Sequence, residues 1–289
     1  MGNKLKLYAI WNVAKSEFIK WITNPRIIIA GVLIMFIRSF AVLPMLEQSE
    51  KYGEPLNVME PFIAAGNSGM LALFLPLVFL LLISDFPIMG GNTIFFINRT
   101  GKLNWFLGQI VFIIISIFVY IGTILLSCMV MSKGTFSAEW SNAITKFNAA
   151  FPDEAGGFVS KLIPSNLYNQ IPILNAVIGT VLLIAMYLLT LALLLCLMKM
   201  LYLRGAGLLS ALTVIVLGAA SCSLKINVMW IFPTANTLMW LHYKEILKEP
   251  ITPVENSFLY FLILIAVLFT ANLFVLRNLQ FINIEQDGM

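Results

Sequence analysis

The sequence predicts an all-α, polytopic membrane protein: six transmembrane helices preceded by an N-terminal amphipathic helix lying at the membrane interface. Three observations predict it. Of the 289 residues, 60% are hydrophobic and 11% charged, where a soluble domain carries roughly a quarter charged residues, so lipid must solvate most of the surface. The apolar residues gather into six runs, each near or above the ~20 residues that cross ~30 Å of hydrocarbon. Backbone amides in hydrocarbon must find partners within their own segment, which makes each run a helix.

Residues 3–24 form the interfacial helix in this reading. Leu7, Ile10, Trp11, Ala14, Phe18, Trp21 and Ile22 recur at helical spacing on one side, with Lys6, Asn12, Ser16, Glu17 and Lys20 opposite. Tryptophan flanked by lysine suits a helix lying among lipid headgroups. The basic stretch is too long for a secretory signal, and no small-residue cleavage site follows it. Pro25 opens the first span, 27–46, as proline does at helix starts. The second span is 63–83 and contains Pro76; the others are 105–131, 173–198, 206–224 and 258–276. All of this makes one transmembrane domain over 1–289, with no soluble module.

Charge sets the expected orientation. Arginine and lysine are densest in the short segments around 4–26, 99–102 and 199–204 and at Arg277, whereas the lysines of the alternate loops are spread over longer stretches. The positive-inside rule then places both termini in the cytoplasm of a cell-membrane protein. Trp140, Trp230 and Trp240 fall at the outer interface, and Trp11, Trp21 and Trp105 at the inner one. The outer segment 224–256 is too apolar for a free loop and is expected to form short helices dipping into the leaflet.

Chemistry is mostly notable by what the sequence lacks. It has no GxxxxGK[ST] phosphate loop, no HExxH, and no GxSxG with a histidine partner. Cys128, Cys196 and Cys222 lie in apolar runs and read as small core residues. His242 is the single histidine, which argues against a multi-histidine metal site; it reads as an interfacial residue. Catalytic, cofactor and metal residues are therefore expected to be none. A net charge of +4 without basic–aromatic clustering gives nucleic-acid binding no support. Asp85, at the end of the second span, reads as a helix cap or a water-facing group. Arg38, near the middle of the first span, has two readings. It lines a translocation path or meets another subunit or an outer carboxylate such as Glu47, or else it snorkels to the interface or bonds to carbonyls. In GAGLLSA, Ala206/Ser210 and Gly207/Ala211 provide small residues at four-residue spacing, fit for an internal helix contact or a dimer seam.

Three stretches carry a resemblance: KSEFIKWITNPRIIIA, GNTIFFINRTGKLNWFLGQI and IFPTANTLMWLHYKEIL. With the order of elements, they resemble the permease subunit of type-2 ABC exporters. In that family the loop after the second span is a coupling helix that plugs into a separate ATPase. The resemblance places Thr93, Phe95, Phe96, Arg99 and Lys102 in that role, followed by Gly108 and Gln109. The departure is upstream, where relatives carry an acidic run and this chain has Asp85 followed by FPIMGG. The resemblance implies export, a second permease copy or paralogue, and ATP with Mg²⁺ on the partner ATPase. A secondary transporter and a non-transporting scaffold or immunity protein are the alternatives.

Overall fold

The computed structural model describes residues 5–89, 97, 99–244 and 250–278. It is an all-helical bundle; among these residues the β-type pairing is limited to two isolated bridges, Asn57–Thr135 and Tyr243–Pro250. Among the described residues five helices are long and apolar enough to cross a membrane, and a bent pair of helices passes the same test when taken together. We number the principal helices α1 (Leu7–Ile22), α2 (Ile27–Tyr52), α3 (Glu60–Asn67), α4 (Leu71–Leu82), α5 (Lys102–Ser132), α6 (Ile173–Met200), α7 (Arg204–Ser223) and α8 (Val254–Asn278).

The loops alternate between two faces. On the near face, Asp85 meets Arg26 and Lys199, and Lys6 meets Asn104. On the distal face, Asn57 bonds to Ser137 and Glu139, and Asn166 to Trp240 and Tyr243. α8 runs in the same direction as α6, with Phe261 beside Tyr187 and Asn272 Nδ2 donating to Leu193 O. Helix α1 and the end of α8 therefore share the near face. At the centre stands α6, apolar on every side as a helix surrounded by others must be, packed on α3, α4, α5, α7 and α8.

The N-terminal helix departs from the two-sided expectation. Ile10, Val13, Ala14, Glu17 and Trp21 form its buried side, packed on α5, where Trp21 meets Phe112 edge-on at 6.5 Å. Leu7, Trp11 and Ile22 are exposed, and Glu17, expected on the solvated side, is buried with Lys20 at 3.1 Å. The helix thus has three sides: one docked on protein, one apolar and uncovered, and one polar. A helix lying in an interface against other helices needs all three, because it meets protein, lipid and water at once. Gly108 permits the docking, since a Cβ there would lie 2.6 Å from Val13 Cβ and 2.9 Å from Ile10 O. Trp105, expected at the interface, is buried too.

The second span is not one helix. α3 and α4 meet at an 80° bend, located at 68–70 and not at Pro76, which stays inside α4. Ser68 is extended (φ −71°, ψ 136°), and its hydroxyl accepts from Leu71 N at 3.2 Å, the bond of a serine N-cap. The first span continues past its predicted end to Tyr52 and contains a π-turn at Arg38–Val42. Pro44 supplies the reason: its ring clashes with the carbonyl four residues back and it donates no N–H, so the turn widens and Leu43 N reaches Arg38 O instead.

In the small-residue stretch, one pair is an internal helix contact. Gly207 and Ala211 are buried, and a Cβ on Gly207 would touch Met198 and Leu195 of α6, so that pair is an internal contact. Ala206 lies on the exposed side and Ser210 is half-buried.

Candidate functional site

The site of interest is the near-face loop 84–104, and the structure describes both of its ends. At its start, Arg26 Nη1 donates to Ser84 Oγ at 2.8 Å and to Asp85 Oδ2 at 2.5 Å. Lys199, in the last turn of α6, donates to the carbonyl of Asp85. Asp85 faces water, as one of its two readings has it, with its side chain 60% exposed; it is also the point where α2 and α6 both grip the loop. Asn24 positions Arg26 by accepting from Arg26 N at 3.0 Å, with Pro25 fixing the turn.

At the other end, Ile97, Arg99 and Thr100 are helical and Gly101 breaks the helix. Gly101 has φ +86°, a region that disfavours side chains, and its N–H donates to Ile97 O at 2.7 Å. α5 then begins at Lys102. Asn104 joins this end to the N-terminal helix: Lys6 N donates to its Oδ1 at 3.1 Å, while its Nδ2 donates to Thr100 O at 2.8 Å. Of the residues expected to contact an ATPase, Arg99 is exposed and Lys102 is half-buried. Thr93, Phe95 and Phe96 lie outside the described residues. Ile97 is buried.

Arg38 stands apart from this cluster. It occupies the π-turn of α2 and faces outward, beside exposed Met35, Ser39 and Phe40. Among the described residues it makes no ion pair, with Glu47 or any other carboxylate.

A second polar assembly occupies the distal face, and sequence reading gave it no role. The segment 225–244 folds into short turns of helix, Asn227–Ile231, Pro233–Thr237 and Met239–His242, and inserts against the bend of the second span. Asn67, the last residue of α3, is the hub. Its Nδ2 donates to Ile63 O at 3.0 Å and Thr180 Oγ1 at 2.9 Å, its Oδ1 accepts from Met239 N at 2.9 Å, and its carbonyl accepts from Trp240 Nε1 at 2.8 Å.

His242 is buried in that segment. Its Nδ1 faces Leu238 O at 3.1 Å; a carbonyl can only accept, so in the neutral ring Nδ1 carries the proton. Nε2 lies 2.8 Å from Ser257 Oγ, which is also 2.8 Å from Asn236 Oδ1. One hydroxyl proton thus serves two acceptors. Burial holds the ring below its ordinary pKa of 6.5, against the opposing pull of its backbone bonds and of the Glu255 charge.

The sequence signals for this assembly are the apolar segment 224–256, expected to form short helices, and Ser68-Gly69, a turn-forming dipeptide inside an apolar run. Its partners, Thr180 and Met239, lie 113 and 172 residues away from Asn67, a distance over which no local pattern reports. Comparison with known proteins returns no match: no family model, no curated protein and no solved structure is similar to this chain.

Proposed function

We propose that this chain is the membrane-spanning subunit of an exporter driven by a separate ABC-type ATPase, acting with a second copy or a paralogue in the cell membrane, with both termini in the cytoplasm. The observation that carries this reading is the tethering of loop 84–104. Its start is held by Arg26 of the α2 entrance and Lys199 of α6, and its end by Lys6 at the head of α1. A push on such a loop is delivered to several helices at once, which is what a lever between a fuel-burning partner and a bundle requires. The partner carries ATP and Mg²⁺; this chain makes and breaks no bonds and exposes a path alternately to the two sides.

In this reading Thr93, Phe95 and Phe96 form the apolar contact with the ATPase, and Arg99 and Lys102 latch it. Exposed Arg38 faces the second permease. An arginine at mid-span costs about 2.5–3.5 kcal/mol on insertion scales, and a neighbouring subunit offers it a polar surface where lipid offers none.

The bend in the second span is the feature that favours a secondary transporter, since such proteins bind ions at broken helices. Here, however, the polar atoms at the break already have protein partners: the Asn67 amide and carbonyl bond to Ile63, Thr180, Met239 and Trp240, and Ser68 to Leu71. That makes the bend a structural joint.

The test is affinity purification of the full chain from native membranes. An ATPase bearing GxxxxGK[ST] is expected to co-purify with the wild type and to be lost from the Phe95→Asp/Phe96→Asp variant. No such ATPase with the wild type, or equal recovery with the variant, overturns the proposal.

A further inference from the structure

A cavity of about 600 Å³ opens on the distal face between the end of α7 and the start of α8. It takes no part in the function proposed above. Its volume lies within the range of sites that hold a small organic molecule. Trp230, Trp240 and Tyr243 line it together with Lys225 and Lys244.

The walls are fixed in advance. Trp240 is held by its bond to Asn67 O. Trp230 stands edge-on to His242, with ring centroids 5.1 Å apart. Asn166 Nδ2 donates to the carbonyls of Trp240 and Tyr243 at 2.8 and 3.1 Å, which fastens that wall to the segment before α6. A site whose side chains are already immobilised binds without a further ordering cost.

Charge and surroundings then select the occupant. By sequence the distal segments carry ten carboxylates against seven lysines, and Lys51 there is occupied by Glu154. Lys225 and Lys244 are exposed and form no ion pair with a described carboxylate. Lys225 lies two residues beyond the end of α7, at the height where an apolar helix leaves hydrocarbon, and tryptophan and tyrosine favour the same level. Around the mouth the surface is apolar and uncovered: Leu224, Ile226, Val228 and Ile251 are all exposed. Two lysines in one cavity with aromatic walls, bordered by bare aliphatic side chains, match a molecule with an anionic head and hydrocarbon chains.

We propose that this cavity binds the phosphate-bearing headgroup of an anionic membrane lipid in the leaflet on the distal face. Phosphate sits between Lys225 and Lys244, the headgroup backbone lies against Trp230 and Trp240, and the chains run over Leu224 and Ile226. The inference needs only that the chain spans a membrane and stands whether or not it is a transporter.

The test uses the full-length protein in a neutral detergent, titrated with dioctanoyl phosphatidylglycerol, dioctanoyl phosphatidylcholine and glycerol 3-phosphate, with binding read by tryptophan fluorescence and by native mass spectrometry. The wild type is expected to bind the anionic lipid about thirtyfold more tightly than the zwitterionic one, the scale set by two lysines at about 1 kcal/mol each. Lys225→Gln/Lys244→Gln abolishes that preference, and Lys225→Arg/Lys244→Arg keeps it. Equal affinity of the wild type for the two lipids overturns the proposal, a comparison that does not depend on any variant folding. A preference that survives the double glutamine variant overturns it too, as does glycerol 3-phosphate binding as tightly as the lipid, which would mark a site for free phosphate compounds.

Discussion

On the near face, Arg26 and Asp85 join α2 to the loop through side chains 41% and 60% exposed, while on the distal face Asn67, Asn236, His242 and Ser257 are linked almost wholly out of reach of solvent. The first kind of contact is ionic, solvated and separately replaceable. The second is neutral, and its members share protons. Near-face packing also leaves polar atoms over: Glu17 Oε2 and Trp21 Nε1 are buried without a partner among the described residues, whereas each polar atom of the Asn67 amide is bonded. A buried, satisfied network resists change because releasing one partner strands another. An exposed ion pair can open at little cost. The difference suits a molecule whose distal end is a fixed cap and whose near end is adjustable.

Several substitutions break or sharpen that contrast. The largest effect is expected at Gly108, where α1 docks. Gly108→Val must displace Val13 and the Ile10 carbonyl, an overpacking cost of about 3 kcal/mol. Its measurement is protease cleavage between α1 and α2, faster in the variant while the rest of the bundle stays intact. If cleavage is unchanged, α1 is not held by this seam.

Next comes the hub of the cap. Asn67→Leu removes the acceptor of Met239 N and the donor to Thr180. A stranded buried donor costs about 1–3 kcal/mol, and the loss should appear as a lower thermal midpoint for the purified protein.

A smaller effect follows from His242. Its folded-state pKa is depressed, so folding favours the neutral ring. That contribution is fully present above the unfolded value of about 6.5 and is lost as pH falls below it toward the folded pKa. Between pH 7.5 and 5.0 the wild type should lose more thermal stability than His242→Gln, which has no ring to protonate. Equal losses would mean that the ring does not govern the cap. The smallest effect belongs to the near face: Arg26→Gln should change stability by less than about 1 kcal/mol, and added salt should shrink that change further. A loss comparable to that of Asn67→Leu would erase the contrast between the faces.

Much of the fold was legible because it depends on composition and run length, quantities that a bilayer reads directly. The third to sixth spans appear within a few residues of their predicted limits at most ends. What failed, failed for local reasons. The high average hydropathy of 63–83 concealed the bend despite Asn67-Ser68-Gly69 within it, because lipid exposure and protein burial both favour apolar side chains and hydropathy cannot tell a straight helix from a folded one. The assignment of Glu17 to a polar side failed because α5 covers it, and periodicity does not say what lies opposite a helix.

The functional regions divide in the same way. Arg99 and Lys102 stand out in the chain as a basic loop between two apolar runs, a local pattern, while their coupling role rests on the resemblance alone. Asp85 was seen but not understood, because its partners, Arg26 and Lys199, lie 59 and 114 residues away. By itself the sequence determined that this protein is a helical membrane bundle and where its long apolar helices lie, since hydrophobic transfer energy is additive along a chain. Only the tertiary structure decided which polar groups meet: hydrogen bonds act over about 3 Å, and packing alone brings Asn67 to Met239 or Lys225 and Lys244 to one cavity.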